Sequence, residues 1–131
     1  MGMSAGITAN TNTSALVTLA AATVGGNSGD LTNINGRGIQ IGINVTAITG
    51  TTPTFTVTLL GKDTASGVYY PLLVSAALLA VGFTQIVVYP GATPVANLSA
   101  SQPLPRTYQI SYAIGGTTPA VTATIGASII V

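Results

Sequence analysis

Residues 36–60 read GRGIQIGINVTAITGTTPTFTVTLL and carry the strongest structural pattern in the sequence. Apolar residues take every second position in both of its halves, which places them on one face of a pleated strand. These residues are Ile39, Ile41, Ile43, Val45, Phe55, Val57 and Leu59. Between the halves stands Gly50-Thr51-Thr52-Pro53, with a glycine that tolerates positive φ and a proline suited to the start of a strand. The pattern predicts one long β-hairpin that turns at residues 50–53.

The rest of the chain is also β-patterned and has no convincing helix. Asp63 opens, and Gly67 closes, a short turn after the predicted hairpin. About seven short strands separated by Gly- and Pro-rich turns indicate an antiparallel β-sandwich, jelly-roll-like or Ig-like, as a single domain over residues 15–131. The further strands are predicted at residues 15–24, 68–75, 84–89, 107–114 and 120–131.

The end of the chain repeats the pattern of its middle. Gly116-Thr117-Thr118-Pro119 matches residues 50–53, and threonine alternates with apolar residues after each proline. Two long hairpins with similar turn chemistry explain the match, and we favour this interpretation. An internal duplication that places equivalent hairpins in two sheets would leave the same pattern. We expect five residues to define the turns: Gly50, Pro53, Gly67, Gly116 and Pro119.

The composition speaks against catalysis. The chain has two acidic residues, no histidine and no cysteine, so the usual general bases and activated nucleophiles are missing. Asp30 and Asp63 are the one possible carboxylate pair, and nothing in the sequence places them together. Hard cations want several carboxylates, so a lone aspartate in a turn is a poor ligand set. We expect no enzyme, and no catalytic, cofactor-binding or metal-binding residues.

Charge is unusually scarce. Charged residues make up 4% of the chain and its net charge is +1, whereas an ordinary domain carries charge on about a quarter of its residues. Such a surface has little self-repulsion and tends to associate, so we expect it to be covered by further copies or by a partner. Three basic residues cannot form the stripe that nucleic-acid binding needs.

Residues 69–89 are uncharged and long enough to span a membrane as a helix. Pro71, Gly82 and Gln85 oppose such a helix, and two buried strands joined near residues 80–82 explain the run as well. We therefore expect no membrane partner. Residues 1–14 lack the positive region and the apolar core of a signal peptide.

Two features suggest contacts with neighbouring subunits. Residues 1–14 have no periodicity, so they are either a disordered terminus or an arm that orders only against a neighbour. Arg37 and Arg106 each stand at the start of a long predicted strand, either as solvated rim residues or as inter-subunit partners of Asp30 or Asp63. The candidate interface residues are Ile7, Asn10, Asn12, Arg37, Asp63 and Arg106.

Short turn and strand-start motifs are spread over most of residues 15–131. They read TAITGTTPT (46–54), GKD (61–63), SGVYY (66–70), YPG (89–91), LPRT (104–107) and GGTTP (115–119). Together they resemble a group of small proteins encoded among the structural genes of tailed bacteriophages. Because turn residues specify a fold more than an activity, the resemblance bears first on architecture.

The resemblance implies a capsid decoration (cement) protein that binds the outside of the head lattice, commonly as a trimer, and clamps neighbouring major capsid subunits. The implied partners are the major capsid protein and further copies of the chain. The implied location is the capsid exterior of the virion, after synthesis in the host cytoplasm. Residues 1–14 would then be a flexible arm that orders on binding. The alternatives are a tail or tail-tube structural protein and a glycan-binding β-sandwich such as a head-fibre module.

Overall fold

The computed structural model describes residues 16–34 and 36–130, and these fold entirely into strands and connections without a helix. The strands are β1 (Val17–Ala22), β2 (Gly26–Asn27), β3 (Leu31–Thr32), β4 (Gly38–Asp63), β5 (Val68–Val74), β6 (Gly82–Val88), β7 (Ser99–Ala100) and β8 (Thr107–Ile130). The all-β prediction is confirmed. The predicted arm, including Ile7, Asn10 and Asn12, lies outside the described residues.

All eight strands belong to one sheet. Its main path is β1-β8-β4-β6-β7; β2 and β3 also pair with β8, and β5 pairs with β4. The β6–β7 pair is parallel and the other pairs are antiparallel. The sheet is therefore mixed, and its described part has eight strands instead of about seven.

The two long strands run together for their whole length. β4 has 26 residues and β8 has 24, and they pair from Gly38 opposite Ile130 to Gly61 opposite Tyr108. The predictions of a hairpin within residues 36–60 and of a second one within 107–131 are therefore wrong. Each half of β4 pairs with β8 rather than with the other half. Alternation indicates which face a residue occupies but does not identify the strand beside it.

The expected hairpin turns are bends inside the long strands. The two GTTP segments, residues 50–53 and 116–119, lie across from each other in the β4–β8 ladder, and the register shifts on both sides of the Thr51–Thr117 pair. Gly50 and Gly116 have φ values of 122° and 109°. Positive φ breaks the extended backbone, so both strands leave regular β geometry at the same place.

One apolar core lines both halves of the β4–β8 ribbon. The seven alternating residues of the 36–60 stretch are all buried in it, together with residues of β6 and β8 such as Ile86, Ile110 and Ile125. Burying a side chain of this size contributes about 1.5–3 kcal/mol. Since residues from both sides of the bend belong to one cluster, the two halves of the ribbon share their core.

A buried amide joins the two far ends of the ribbon. The Asn33 N–H donates to the carbonyl of Arg106 (2.7 Å) beside the Gly61–Tyr108 end. Asn33 Nδ2 donates to the carbonyls of Gly36 (2.8 Å) and Leu104 (3.0 Å), and its Oδ1 accepts from the Gly36 N–H (2.8 Å). Gly36 precedes the other end of the ribbon. These bonds hold the two ends together.

The apolar run at residues 69–89 forms β5 and β6 with a connection between them. Across 16–34 and 36–130 there is no helix long and apolar enough to cross a membrane. Part of the run enters the core through Leu72, Leu73, Ile86 and Val88. Leu78 also packs against the core, whereas Leu79, Val81 and Phe83 are 63%, 63% and 62% exposed.

Candidate functional site

Asp30 is the centre of a polar cluster built from four parts of the chain. Lys62 Nζ of β4 lies 2.8 Å from Asp30 Oδ2, while the Tyr69 hydroxyl of β5 donates to Oδ1 at 2.5 Å. Gln109 Nε2 of β8 donates to the same Oδ1 at 3.4 Å. The hydrogen bond from Lys62, followed by that from Tyr69, holds the pKa of Asp30 below its usual value. Both oxygens of this carboxylate accept hydrogen bonds, and the group is ionised at neutral pH. These properties fit a structural role better than proton transfer.

The other carboxylate, Asp63, is held by its own turn. The Ser66 hydroxyl donates to Asp63 Oδ2 at 2.6 Å and the Ala65 N–H donates to Oδ1 at 3.3 Å, and the Ser66 bond lowers the pKa of Asp63. Gly67, with φ of 79°, closes this turn by donating its N–H to the Asp63 carbonyl at 2.7 Å. The two carboxylates share no described partner. In the described part of the chain, no three His, Cys, Asp or Glu side chains group in a way that could hold a metal ion.

The two arginines take different places. Arg37 Nη2 donates to the Tyr89 hydroxyl at 3.3 Å, and its guanidinium lies 5.5 Å from the centroid of that ring, which is within range of a cation–π interaction. Arg106 contributes its backbone carbonyl to Asn33. Within residues 16–34 and 36–130 the one ion pair joins Lys62 to Asp30, so no described salt bridge joins Arg37 or Arg106 to an aspartate. An inter-subunit role for either remains a prediction.

A shallow groove of about 420 Å³ lies on the solvent side of the sheet. It is formed where β6, β4 and β8 run side by side, because Gly42 pairs with both Gln85 and Gly126, and Asn44 with both Phe83 and Thr124. It is lined by Gln40, Gly42, Asn44, Phe83, Gln85, Thr124, Gly126, Ala127 and Ser128. Gln40, Gly42 and Asn44 alternate with the buried Ile39, Ile41 and Ile43, so the groove is on the face opposite the core.

The groove is neutral and rich in hydrogen-bonding groups. The side-chain amides of Gln40, Asn44 and Gln85 make no hydrogen bond to any other described residue. No charged side chain lines the groove. The arrangement offers amide donors and acceptors, the hydroxyls of Thr124 and Ser128, and one aromatic ring.

The sequence analysis missed this groove. The alternation in residues 36–60 already placed Gln40, Gly42 and Asn44 on the face opposite the core. The residues that complete the groove come from β6 and β8, and only the register of those strands brings them beside β4. The aromatic residue is Phe83, which the sequence analysis did not single out.

No protein-family model, no curated protein and no solved structure matches the chain at a significant level.

Proposed function

We propose that the chain is a structural virion protein of a tailed phage, which decorates the outer capsid surface and clamps neighbouring major capsid subunits. Two kinds of observation support this role. The motifs of residues 46–54 and 115–119 resemble those of phage structural proteins, and both segments lie at the bend of the β4–β8 ribbon. The surface is nearly uncharged, which favours broad protein–protein contacts.

The observation that carries the proposal is an exposed apolar segment. Leu79 and Val81, in the connection between β5 and β6, keep most of their side-chain surface in contact with solvent. Burying a Leu or Val side chain fully contributes about 1.5–3 kcal/mol. In a symmetric assembly the same contact is repeated in every copy. We propose that this segment contacts a second copy in a homotrimer that sits on the capsid lattice.

The proposal also covers the body of the protein. We infer that the two halves of the β4–β8 ribbon stack as the two layers of a β-sandwich. The shared core on one face of both halves supports this, as does the Asn33 contact between the two ends. A rigid sandwich without catalytic groups suits a protein that acts by contact alone.

Light scattering on a sizing column, without detergent, tests the assembly. We expect a mass of three times the 12.9 kDa chain. Val81→Ser should shift the trimer toward monomer because it removes an apolar contact from the segment. Val24→Ser is the matched control, since Val24 is 71% exposed outside this segment, and it should leave the trimer intact. Equal behaviour of the two variants would remove Val81 from the interface.

Co-sedimentation with capsid shells of the phage whose genome encodes the chain tests the role itself. We expect the chain to pellet with shells assembled without it, and Val81→Ser to reduce the bound fraction. If the chain is a monomer and still binds shells, the decoration role stands and the proposed trimer is wrong. Six-membered rings or stacks that do not bind shells would replace decoration by a tail-tube role. A chain that neither assembles nor binds shells would overturn the proposal.

A further inference from the structure

We propose that the groove between β6, β4 and β8 is a binding site for a neutral saccharide. This function goes beyond the structural role proposed above and uses different residues from the Leu79–Val81 contact. A decorating protein that also holds a glycan would attach the particle weakly to a sugar-coated surface.

The hydrogen-bonding groups of the groove match sugar hydroxyls. A side-chain amide offers both a carbonyl acceptor and an NH₂ donor, and each sugar hydroxyl also donates and accepts. Gln40 and Asn44 flank Gly42 on the outward face of β4, and Gln85 of β6 lies opposite Gly42. Because these amides have no hydrogen-bond partner among the described residues, binding would break no hydrogen bond of theirs within that part of the chain. Because no charged side chain lines the groove, a charged ligand would have no counter-ion there, and we expect a neutral one.

Phe83 supplies the apolar part of the site. Its ring lies over Gly42, where an added Cβ would come within 2.9 Å of Phe83 Cζ. The glycine thus allows the ring to lie close to the sheet, while most of the Phe83 side chain stays exposed. An exposed aromatic ring beside amides can pack against the C–H face of a pyranose, as aromatic residues do in many ligand sites.

Gly126 is the feature that ordinary packing does not explain. Its backbone is not in the left-handed region, and a Cβ added there would meet no described atom within 4 Å. Neither a turn nor a close neighbour therefore requires a glycine. In a strand interior it costs about 0.5–1 kcal/mol relative to alanine, and a common reason for it is the close approach of a ligand. We infer that the open floor at Gly126 receives the sugar ring.

Amide NMR titration with chitotriose, maltotriose and mannotriose tests the site, with trigalacturonic acid as the charged comparison. We expect at least one neutral trisaccharide to shift the side-chain NH₂ signals of Gln40, Asn44 and Gln85. The backbone N–H signals of Gly42 and Gly126 should shift with them. The signals of Leu79 and Val81 should stay in place.

The side chain of Gly126→Val should occupy the space proposed for the sugar ring. It should weaken saccharide binding by about tenfold or more, and tenfold corresponds to about 1.4 kcal/mol. Gly82→Val is the matched control. Gly82 also belongs to a strand of this sheet and has open space at its Cβ, but it does not line the groove. It should bind like the parent chain. Gln85→Ala, an exposed change that removes one amide, gives a second variant and should also weaken binding.

Three results would overturn the proposal. The first is no shift with any of the three neutral sugars, or shifts with trigalacturonic acid alone. The second is movement of the same groove signals on changing the protein concentration without sugar, because a second copy would then be the occupant. The third is an equal loss of binding in Gly126→Val and Gly82→Val. A failure of trimer formation or capsid binding would leave the saccharide proposal standing.

Discussion

Thr51 of β4 lies opposite Thr117 of β8, and the two GTTP segments are arranged about this pair with approximate twofold symmetry. The Thr52 hydroxyl donates to the Thr51 carbonyl at 2.8 Å, and the Thr118 hydroxyl donates to the Thr117 carbonyl at the same distance. Each segment therefore repeats the local bonding of the other. The repeat seen in the sequence marks one shared bend of a two-stranded ribbon, rather than two separate hairpin turns.

The bend depends on glycine because the two strands come very close there. A Cβ added to Gly50 would lie 2.9 Å from Pro119 Cα, and one added to Gly116 would lie 2.9 Å from Pro53 Cα. Both glycines also have positive φ. We expect Gly50→Ala or Gly116→Ala to lower the free energy of unfolding by about 2–5 kcal/mol, the sum of backbone strain and overpacking.

Denaturant unfolding of these variants can be compared with Gly67→Ala. Gly67 has φ of 79° but open space at its Cβ, so this control carries the strain without the collision and should cost about 1–2 kcal/mol. If all three variants lost the same stability, close packing at the bend would have no part in the requirement for glycine.

Thr52 stores strain in the same bend. Its φ is 46°, in the left-handed region that β-branched residues rarely adopt. Asparagine tolerates this region better, so Thr52→Asn should raise the free energy of unfolding by about 0.5–1 kcal/mol. Thr49→Asn is the control: its backbone is not left-handed, and asparagine is unfavourable in strands. A higher melting temperature for Thr49→Asn than for Thr52→Asn would contradict the proposal that Thr52 is strained.

The buried Asn33 should be sensitive to the loss of its donor. Asn33→Asp keeps the shape but places a carboxylate against the carbonyls of Gly36 and Leu104, which accept hydrogen bonds from Nδ2. We expect a loss of about 3–5 kcal/mol at neutral pH, as for an uncompensated buried charge. The loss should shrink in acid, when the carboxyl is protonated and can donate once.

Urea unfolding at neutral and acidic pH measures this effect. Asn44→Asp is the matched control because Asn44 is exposed on β4. It should change stability by less than about 0.5 kcal/mol. A neutral-pH cost for Asn33→Asp no larger than that of Asn44→Asp would show that the Asn33 bonds do not hold the ribbon ends.

The Asp30–Lys62 pair predicts a pH dependence. The pKa of Asp30 lies below its ordinary value of 3.8, so the stability that Asp30 contributes is present above that pH and is lost as the pH falls through the folded-state pKa. The pKa of Lys62 lies above 10.5, chiefly through its hydrogen bond to Asp30. That contribution is present below 10.5 and is lost as the pH rises further.

We expect the melting temperature of the parent chain to fall in acid, and Asp30→Asn to flatten part of this fall. Asp63→Asn should flatten another part, because the pKa of Asp63 is lowered independently by Ser66. High salt should weaken the contribution of Asp30, since both members of the pair are partly exposed. If the melting temperature of Asp30→Asn fell in acid as much as that of the parent chain, Asp30 would not be a source of the pH dependence.

The local alternation of apolar and polar residues was enough to predict several features of the fold. The spacing of apolar residues over 36–60 identified the strand conformation, the buried face and, by exclusion, the outward position of Gln40, Gly42 and Asn44. The sequence also marked the two Gly-Thr-Thr-Pro segments as special, although they are bends within β4 and β8 and not the predicted hairpin turns. These features depend on the backbone and side chains of a few neighbouring residues, so the sequence alone contains them.

Strand partners were decided only in the tertiary structure. Whether residues 39–45 pair with residues 55–59 across a hairpin or with residues 123–129 across the sheet depends on distant parts of the chain, since both arrangements bury the same alternating face. The same holds for Asn33, which reads as a loop residue until Leu104 and Gly36 surround it. The groove likewise exists only because the register brings Gln85 and Gly126 to opposite sides of Gly42. The local pattern determines which face of the sheet each side chain occupies. Long-range packing determines which strands pair, because the free energy that discriminates between pairings comes from contacts between residues far apart in sequence.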